Sequence, residues 1–165
     1  MKRILVLGIS GSGKSTLAFR LGKKLNLPVV HLDKYFWDVG WKERYPNKEQ
    51  FNAVIEELVK KDEWIIDGNY RSSLDIRLKR ADTIILLDFP KWLGLWRSFK
   101  RVFNRQQPFD KTLGVKEKID MEHVCFVLKY DTNELRTLVQ SYSPSKKVYI
   151  ARNDRDKESI LKILE

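Results

Sequence analysis

The residues with the clearest chemical meaning come early in the chain, in the run Gly8-Ile9-Ser10-Gly11-Ser12-Gly13-Lys14-Ser15-Thr16. Glycines at these spacings let successive backbone amides turn inward around an anion. A lysine that follows the last glycine reaches the β- and γ-phosphates of a nucleotide, and the next hydroxyl suits a Mg²⁺ ligand. The run sits between the apolar stretch Arg3–Leu7 and an amphipathic one, the strand-then-helix setting in which a helix N-terminus receives phosphate. The reading is a phosphate loop that binds ATP and Mg²⁺ through Gly8, Ser10, Gly11, Ser12, Gly13, Lys14, Ser15 and Thr16. A glycine-rich turn beside a solvated lysine is the plainer alternative, and it leaves that setting unexplained.

Three more carboxylates each close an apolar run: Asp33, Asp67 and Asp88. Beside a phosphate loop such an aspartate can hold Mg²⁺, directly or through water, or orient an acceptor hydroxyl. Elsewhere it merely caps the next helix. Function is favoured for Asp33 and Asp67, with Asp67 joining Ser15 as a candidate metal ligand, whereas Asp88 is balanced because Pro90 marks an ordinary helix start. Trp37 and Trp41 follow Asp33, with Tyr35, Phe36 and Tyr45 nearby. They either wall an acceptor pocket or form a small satellite core. From Lys91 to Arg105 the spacing predicts a helix with Arg97, Arg101 and Arg105 on one face and Trp92, Trp96, Phe99 and Phe103 on another.

The elements that must position these groups alternate in type. Apolar runs at Arg3–Leu7, Pro28–Leu32, Trp64–Ile66, Thr83–Leu87 and Lys147–Ala151 read as strands. Helical spacing follows over Lys14–Leu25, over Phe51, Val54, Ile55, Leu58 and Val59, and from about Asp154. This alternation predicts an α/β, three-layer fold: a five-stranded parallel sheet flanked by helices, with ligands at the carboxyl ends of the strands. The length of 165 residues suits a single domain over 1–165, with a lid at about 104–120.

Composition narrows the surroundings. Hydrophobic residues make up 42% and aromatics 12% of the chain, which argues against disorder. No run approaches the roughly 18 apolar residues of a membrane span. The lone cysteine, Cys125, stands in an apolar run and is expected to be a small core residue in a reducing, cytoplasmic setting. A net charge of +10 favours anionic partners, which include both nucleotides and nucleic acids. Between Lys91 and Lys118 eight basic residues face only Asp110 and Glu117, a local charge of +6.

Several segments also resemble known kinases. Asp67-Gly68-Asn69-Tyr70-Arg71 resembles the Asp-Gly-Phe-Pro-Arg segment of adenylate kinases, which implies that Arg71 grips phosphate and that Asp67 and Gly68 lie at the substrate. Asp33 looks like the acceptor-binding aspartate of the shikimate and gluconate kinases. In kinases of this shape a basic lid closes over ATP, which implies that Arg101 and Arg105 contact the nucleotide. The phosphate loop, Val30-His31-Leu32-Asp33 with Trp37, Asp62–Tyr70 and Asp82–Pro90 together resemble the bacterial DNA topology modulation protein family, small relatives of the adenylate kinases. The resemblance implies a nucleoside-monophosphate-kinase-like fold with a short basic lid.

Two functions follow as expectations. The first is transfer of the γ-phosphate of ATP·Mg²⁺ to a small acceptor, with Lys14, Asp33, Arg71 and Arg101 as catalytic groups and Asp33, Trp37, Asp67, Gly68 and Arg71 at the acceptor. The second is an ATP-switched, nucleic-acid-binding regulator of DNA topology. The acceptor and the oligomeric state, monomer or homodimer, stay open.

Overall fold

Alternate residues of the first strand serve two different cores. Ile4 and Val6 pack with Leu17, Ala18 and Leu21 and with Ile160 and Leu161, while Leu5 and Leu7 pack with Phe51, Ile55, Leu74, Leu78, Leu135 and Val139. Period-two alternation in a strand buried on both faces produces this division.

The computed structural model describes residues 1–38, 42–103 and 121–164. The main sheet contains β1 (Arg3–Gly8), β2 (Val29–His31), β5 (Trp64–Asp67), β6 (Thr83–Leu87) and β7 (Lys147–Ala151), and the short strands β3 (Trp37–Asp38) and β4 (Lys42–Glu43) pair antiparallel beside it. The helices are α1 (Lys14–Leu25), α2 (Leu32–Phe36), α3 (Lys48–Lys60), α4 (Leu74–Arg80), α5 (Lys91–Phe103), α6 (Met121–Lys129), α7 (Thr132–Ser141) and α8 (Asp154–Ile163), with a 3₁₀ turn at Arg71–Ser73. The five strands run parallel in the order β2-β5-β1-β6-β7. Helices α1 and α8 cover one face of this sheet and α3, α4 and α7 the other. This is the expected three-layer α/β architecture.

Register brings the candidate groups to one edge. His31 is level with Asp67, and Asp67 with Val6, two residues before Gly8 opens the loop. Helices α3, α7 and α8 start with side-chain caps from Asn47, Asp131 and Asn153, whereas α1 has none.

Two expectations need correction. The second strand is shorter than Pro28–Leu32, because Leu32 already starts α2. Cys125 is exposed rather than a core residue. Its apolar run forms the helix α6, whose period of 3.6 turns Val127 inward and Cys125 outward. The expected lid, residues 104–120, lies outside the described residues, as do Arg105 and Trp41.

The phosphate loop meets α5 backbone to backbone. A Cβ on Gly11 would stand 2.1 Å from the Gly94 carbonyl oxygen, and one on Gly94 would stand 2.5 Å from that of Ser10. Alanine is the better helix former by about 1 kcal/mol, yet Gly94→Ala is expected to destabilise the protein by about 1–3 kcal/mol because the clash is with main chain. Urea unfolding of the variant measures the difference.

Candidate active site

The loop ends on Gly13, which caps α1 at φ 90 and offers no side-chain hydrogen bond to the first-turn amides. Helix-start amides left in this way are donors for an anion. Ser12 is fully buried, and its Oγ has no hydrogen-bond partner among the described residues. Lys14 folds back so that Nζ donates to the Ile9 carbonyl at 2.8 Å. Burial pushes the Lys14 ammonium below the usual lysine value, Asp33 and Asp67 pull it back up, and Arg101 opposes them. Lys14, Asp33, Asp67 and Arg101 thus share one electrostatic neighbourhood. Uncapped amides, a buried hydroxyl without a partner among the described residues and a lysine held by a main-chain carbonyl fit the phosphates of a nucleotide.

Across the loop, Asp67 is buried and meets His31 Nδ1 at 2.8 Å. Asp33, exposed on the first turn of α2, accepts a 2.7 Å hydrogen bond from the Tyr70 hydroxyl. The Trp37 indole in turn hydrogen-bonds the Tyr70 oxygen. Burial, reinforced by the negative charge of Asp33, pushes the Tyr70 phenol well up, so it stays a donor across the working pH range. Behind these groups Phe36 stacks edge-on against Trp37 and Phe51, with ring centroids 4.9 and 5.1 Å away, and Tyr70 lies 4.8 Å from Phe36. Phe51 belongs to the main core, with Phe36, Tyr45 and Tyr70 packed against it, so the aromatic cluster is continuous with the interior instead of forming a separate core. Ser15, on the first turn of α1, and Asp67 offer the hard oxygen donors that Mg²⁺ prefers. No three His, Cys, Asp or Glu side chains gather into a metal site among the described residues.

The remaining residues divide. Arg101 sits close enough to depress Lys14 and donates to Ser98 Oγ at 3.3 Å. Arg71 is exposed, ion-paired with Glu134 and stacked over Tyr130. Arg97 pairs with Asp154 and lies over Phe89. Asp88 is nearly buried and paired with Arg136 at 2.6 Å. A cavity of about 350 Å³, lined by Asp88, Lys91, Thr132, Arg136 and Arg152 among others, lies at the ends of β6 and β7 and includes no residue of the phosphate loop.

Comparison with known protein families matches residues 4–160 to the AAA domain family. The chain belongs to that family. An uncharacterised protein of Bacillus subtilis (strain 168), YqaC, is 31% identical over 106 residues, a match that spans 63% of this chain and 58% of that relative's length. Among solved structures, a shikimate kinase from Bacteroides thetaiotaomicron is similar with a TM-score of 0.56 at 18% identity, over 99% of this chain and 95% of its own. A gluconokinase from Sinorhizobium meliloti 1021 gives a TM-score of 0.58 at 16% identity, over 99% and 93%. The fold of this AAA-family chain is therefore that of the small P-loop kinases. No helix among its described residues is long and apolar enough to cross a membrane.

In the sequence of this AAA-family chain Asn69 is only part of the Asp67–Arg71 resemblance and Arg77 has no role, and the structure gives each one. Asn69 accepts from the Gly8 N–H at 3.1 Å and donates to the Gly8 carbonyl at 2.7 Å. Arg77 is fully buried and donates to four main-chain carbonyls of the segment after β5. The available signal was Arg77 itself, a charge at a core-facing position of α4 between Leu74 and Leu78.

The shift of Lys14 sets a pH dependence. A lysine binds phosphate as the ammonium, and burial makes this one lose its proton below the ordinary 10.5. Affinity for Mg·ADP is expected to fall as pH rises, beginning below the pH at which a solvated lysine titrates. Calorimetric titrations from pH 7 to 10 in matched buffers test this, and a flat profile contradicts it.

Proposed function

We propose that the chain is an ATP·Mg²⁺-dependent phosphotransferase acting on a small, hydroxyl-bearing acceptor. The observation that carries this reading is the gathering of Lys14, Asp33 and Asp67 around one phosphate loop. The names of the structural neighbours, a shikimate kinase and a gluconokinase, support transfer to a small molecule.

In this reading the loop amides and Lys14 hold the β- and γ-phosphates, and Lys14 exchanges its hold on the Ile9 carbonyl for phosphate oxygen. Ser15 and Asp67 would hold Mg²⁺, which would supply charge neutralisation to the phosphates. Asp33, fixed by Tyr70, orients the acceptor hydroxyl and takes its proton as the oxygen bonds to the γ-phosphorus. The bond from that phosphorus to the bridging oxygen breaks, and ADP leaves with the electron pair. Arg101 stabilises the charge on the transferring group. Arg71 can do so only after releasing Glu134. Trp37 and Gly68 border the acceptor.

A second reading rests on a different observation. Trp92, Trp96, Phe99 and Phe103 are exposed along α5, and Lys100 lies over Trp96. Aromatics interleaved with basic residues suit stacking on nucleic-acid bases, which fits the narrower resemblance to DNA topology modulation proteins. A salt titration of DNA affinity with and without ATP tests it. A steep slope that changes with nucleotide supports a switch, and nucleotide-blind binding reduces it to nonspecific charge.

For the phosphotransferase, Lys14→Ala and Asp33→Ala are each expected to lower product formation on the order of 10²–10³-fold. An ADP-release assay across a panel of polyol, sugar-acid and nucleoside acceptors provides the readout. Slow ATP hydrolysis that no acceptor accelerates is the result that sinks this reading.

A further inference from the structure

Arg77 has no exposed surface, and among the described residues no carboxylate takes its hydrogen bonds. Its Nη1 donates to the Gly68 carbonyl at 2.6 Å, Nη2 to those of Asn69 at 3.1 Å and Tyr70 at 2.7 Å, and Nε to that of Ser73 at 3.2 Å. Burial lowers its pKa to about 10, and the guanidinium is still charged at neutral pH. A buried cation is costly unless its donors are satisfied. Here the planar fork reaches carbonyls of one short loop, a pattern that an ammonium cannot reproduce.

From that loop two neighbouring side chains reach opposite halves of the site. Asn69 takes both the N–H and the C=O of Gly8, the residue at which the phosphate loop begins. Tyr70 donates to Asp33 and receives the Trp37 indole. Consecutive residues on a fixed backbone cannot move independently.

We propose that Arg77 is a positioning residue that makes Gly68–Tyr70 a rigid bracket, tying the phosphate loop to the acceptor-side carboxylate so that the two halves of the site shift together. What the halves bind rests on the phosphotransfer reading above, whereas the bracket does not. Nucleotide phosphates seated on the loop are then felt at Asp33 before any acceptor arrives. Such coupling between sites is commonly worth about 5–150-fold in affinity.

The test uses the full chain labelled with ¹⁵N, Mg·ADP as ligand, and the Trp37 indole N–H resonance, identified by its loss in Trp37→Phe. In the unsubstituted protein Mg·ADP is expected to displace that resonance. Arg77→Lys is expected to weaken Mg·ADP about tenfold and, without ligand, to move the Trp37 resonance toward its position in Tyr70→Phe. Asn69→Ala is expected to weaken Mg·ADP by a similar factor while leaving the ligand-free Trp37 resonance in place. An ordinary buried arginine lowers only the melting temperature, so Arg77→Lys with unchanged affinity and an unchanged Trp37 resonance overturns the proposal. Should Arg77→Lys fail to fold, Asn69→Ala and Tyr70→Phe decide. Unsubstituted affinity in the first, or an unmoved Trp37 resonance in the second, also overturns it. A protein that binds no Mg·ADP at all refutes the proposed function instead, and the ligand-free Trp37 resonance of Arg77→Lys still judges the bracket.

Discussion

Gly8 ends the central strand and begins the phosphate loop, and both of its backbone polar groups are taken by the side-chain amide of Asn69. Just before it the β1–β5 ladder runs out: Val6 is level with Asp67, and the Gly68 N–H reaches the Val6 carbonyl at a loose 3.4 Å. Asn69 therefore supplies with a side chain the pairing that a longer strand would have supplied with its backbone. Buried main-chain groups must be paired, and this substitution satisfies them while freeing the chain to turn into the loop. On the loop's other side, Gly94 of α5 lets the two backbones touch. The anion-binding amides are thus held from both sides before any ligand is present, which is the preorganisation that electrostatic catalysis requires.

Three aspartates end strands of this sheet, and their surroundings give them three different characters. Asp67 is buried against His31, Asp33 is exposed and held by a phenol that stays protonated, and Asp88 is committed to Arg136. Lys14 feels the first two. A lysine pushed toward neutrality by burial and held cationic by two carboxylates gains most when phosphate arrives, since a third negative charge then favours the ammonium. Helix α5 is divided in a comparable way. Arg97 and Arg101 turn toward the sheet and the loop, while Trp92, Trp96 and Phe99 face outward.

The P-loop kinase fold was legible in the chain because it rests on short-range rules. The alternation of apolar runs with helical spacing placed all five strands of the main sheet within a residue or two of where they lie, and Gly8–Ser15 announced its own conformation. The boundary at Leu32 was misplaced because a short apolar run has no period long enough to separate strand from helix, and Cys125 was misjudged because such a run does not say which of its residues a helix turns outward. The candidate site was only partly legible. Lys14 stood out through the glycine spacing before it, Asp33 and Asp67 as carboxylates that end apolar runs, and Arg101 through its helical spacing.

By itself, then, the sequence determined a parallel sheet with a phosphate loop at the end of its first strand, since strand alternation, helix periodicity and glycine spacing act over a few residues. Tertiary structure alone decided the partners: that Asn69 closes on Gly8 across 61 residues, that Arg71 spends its charge on Glu134, and that Arg77 is sealed beneath the loop it organises. Such contacts depend on which faces meet once the sheet is covered. No local pattern encodes that, because a side chain's partner is fixed by packing and desolvation, which act only between elements already brought together.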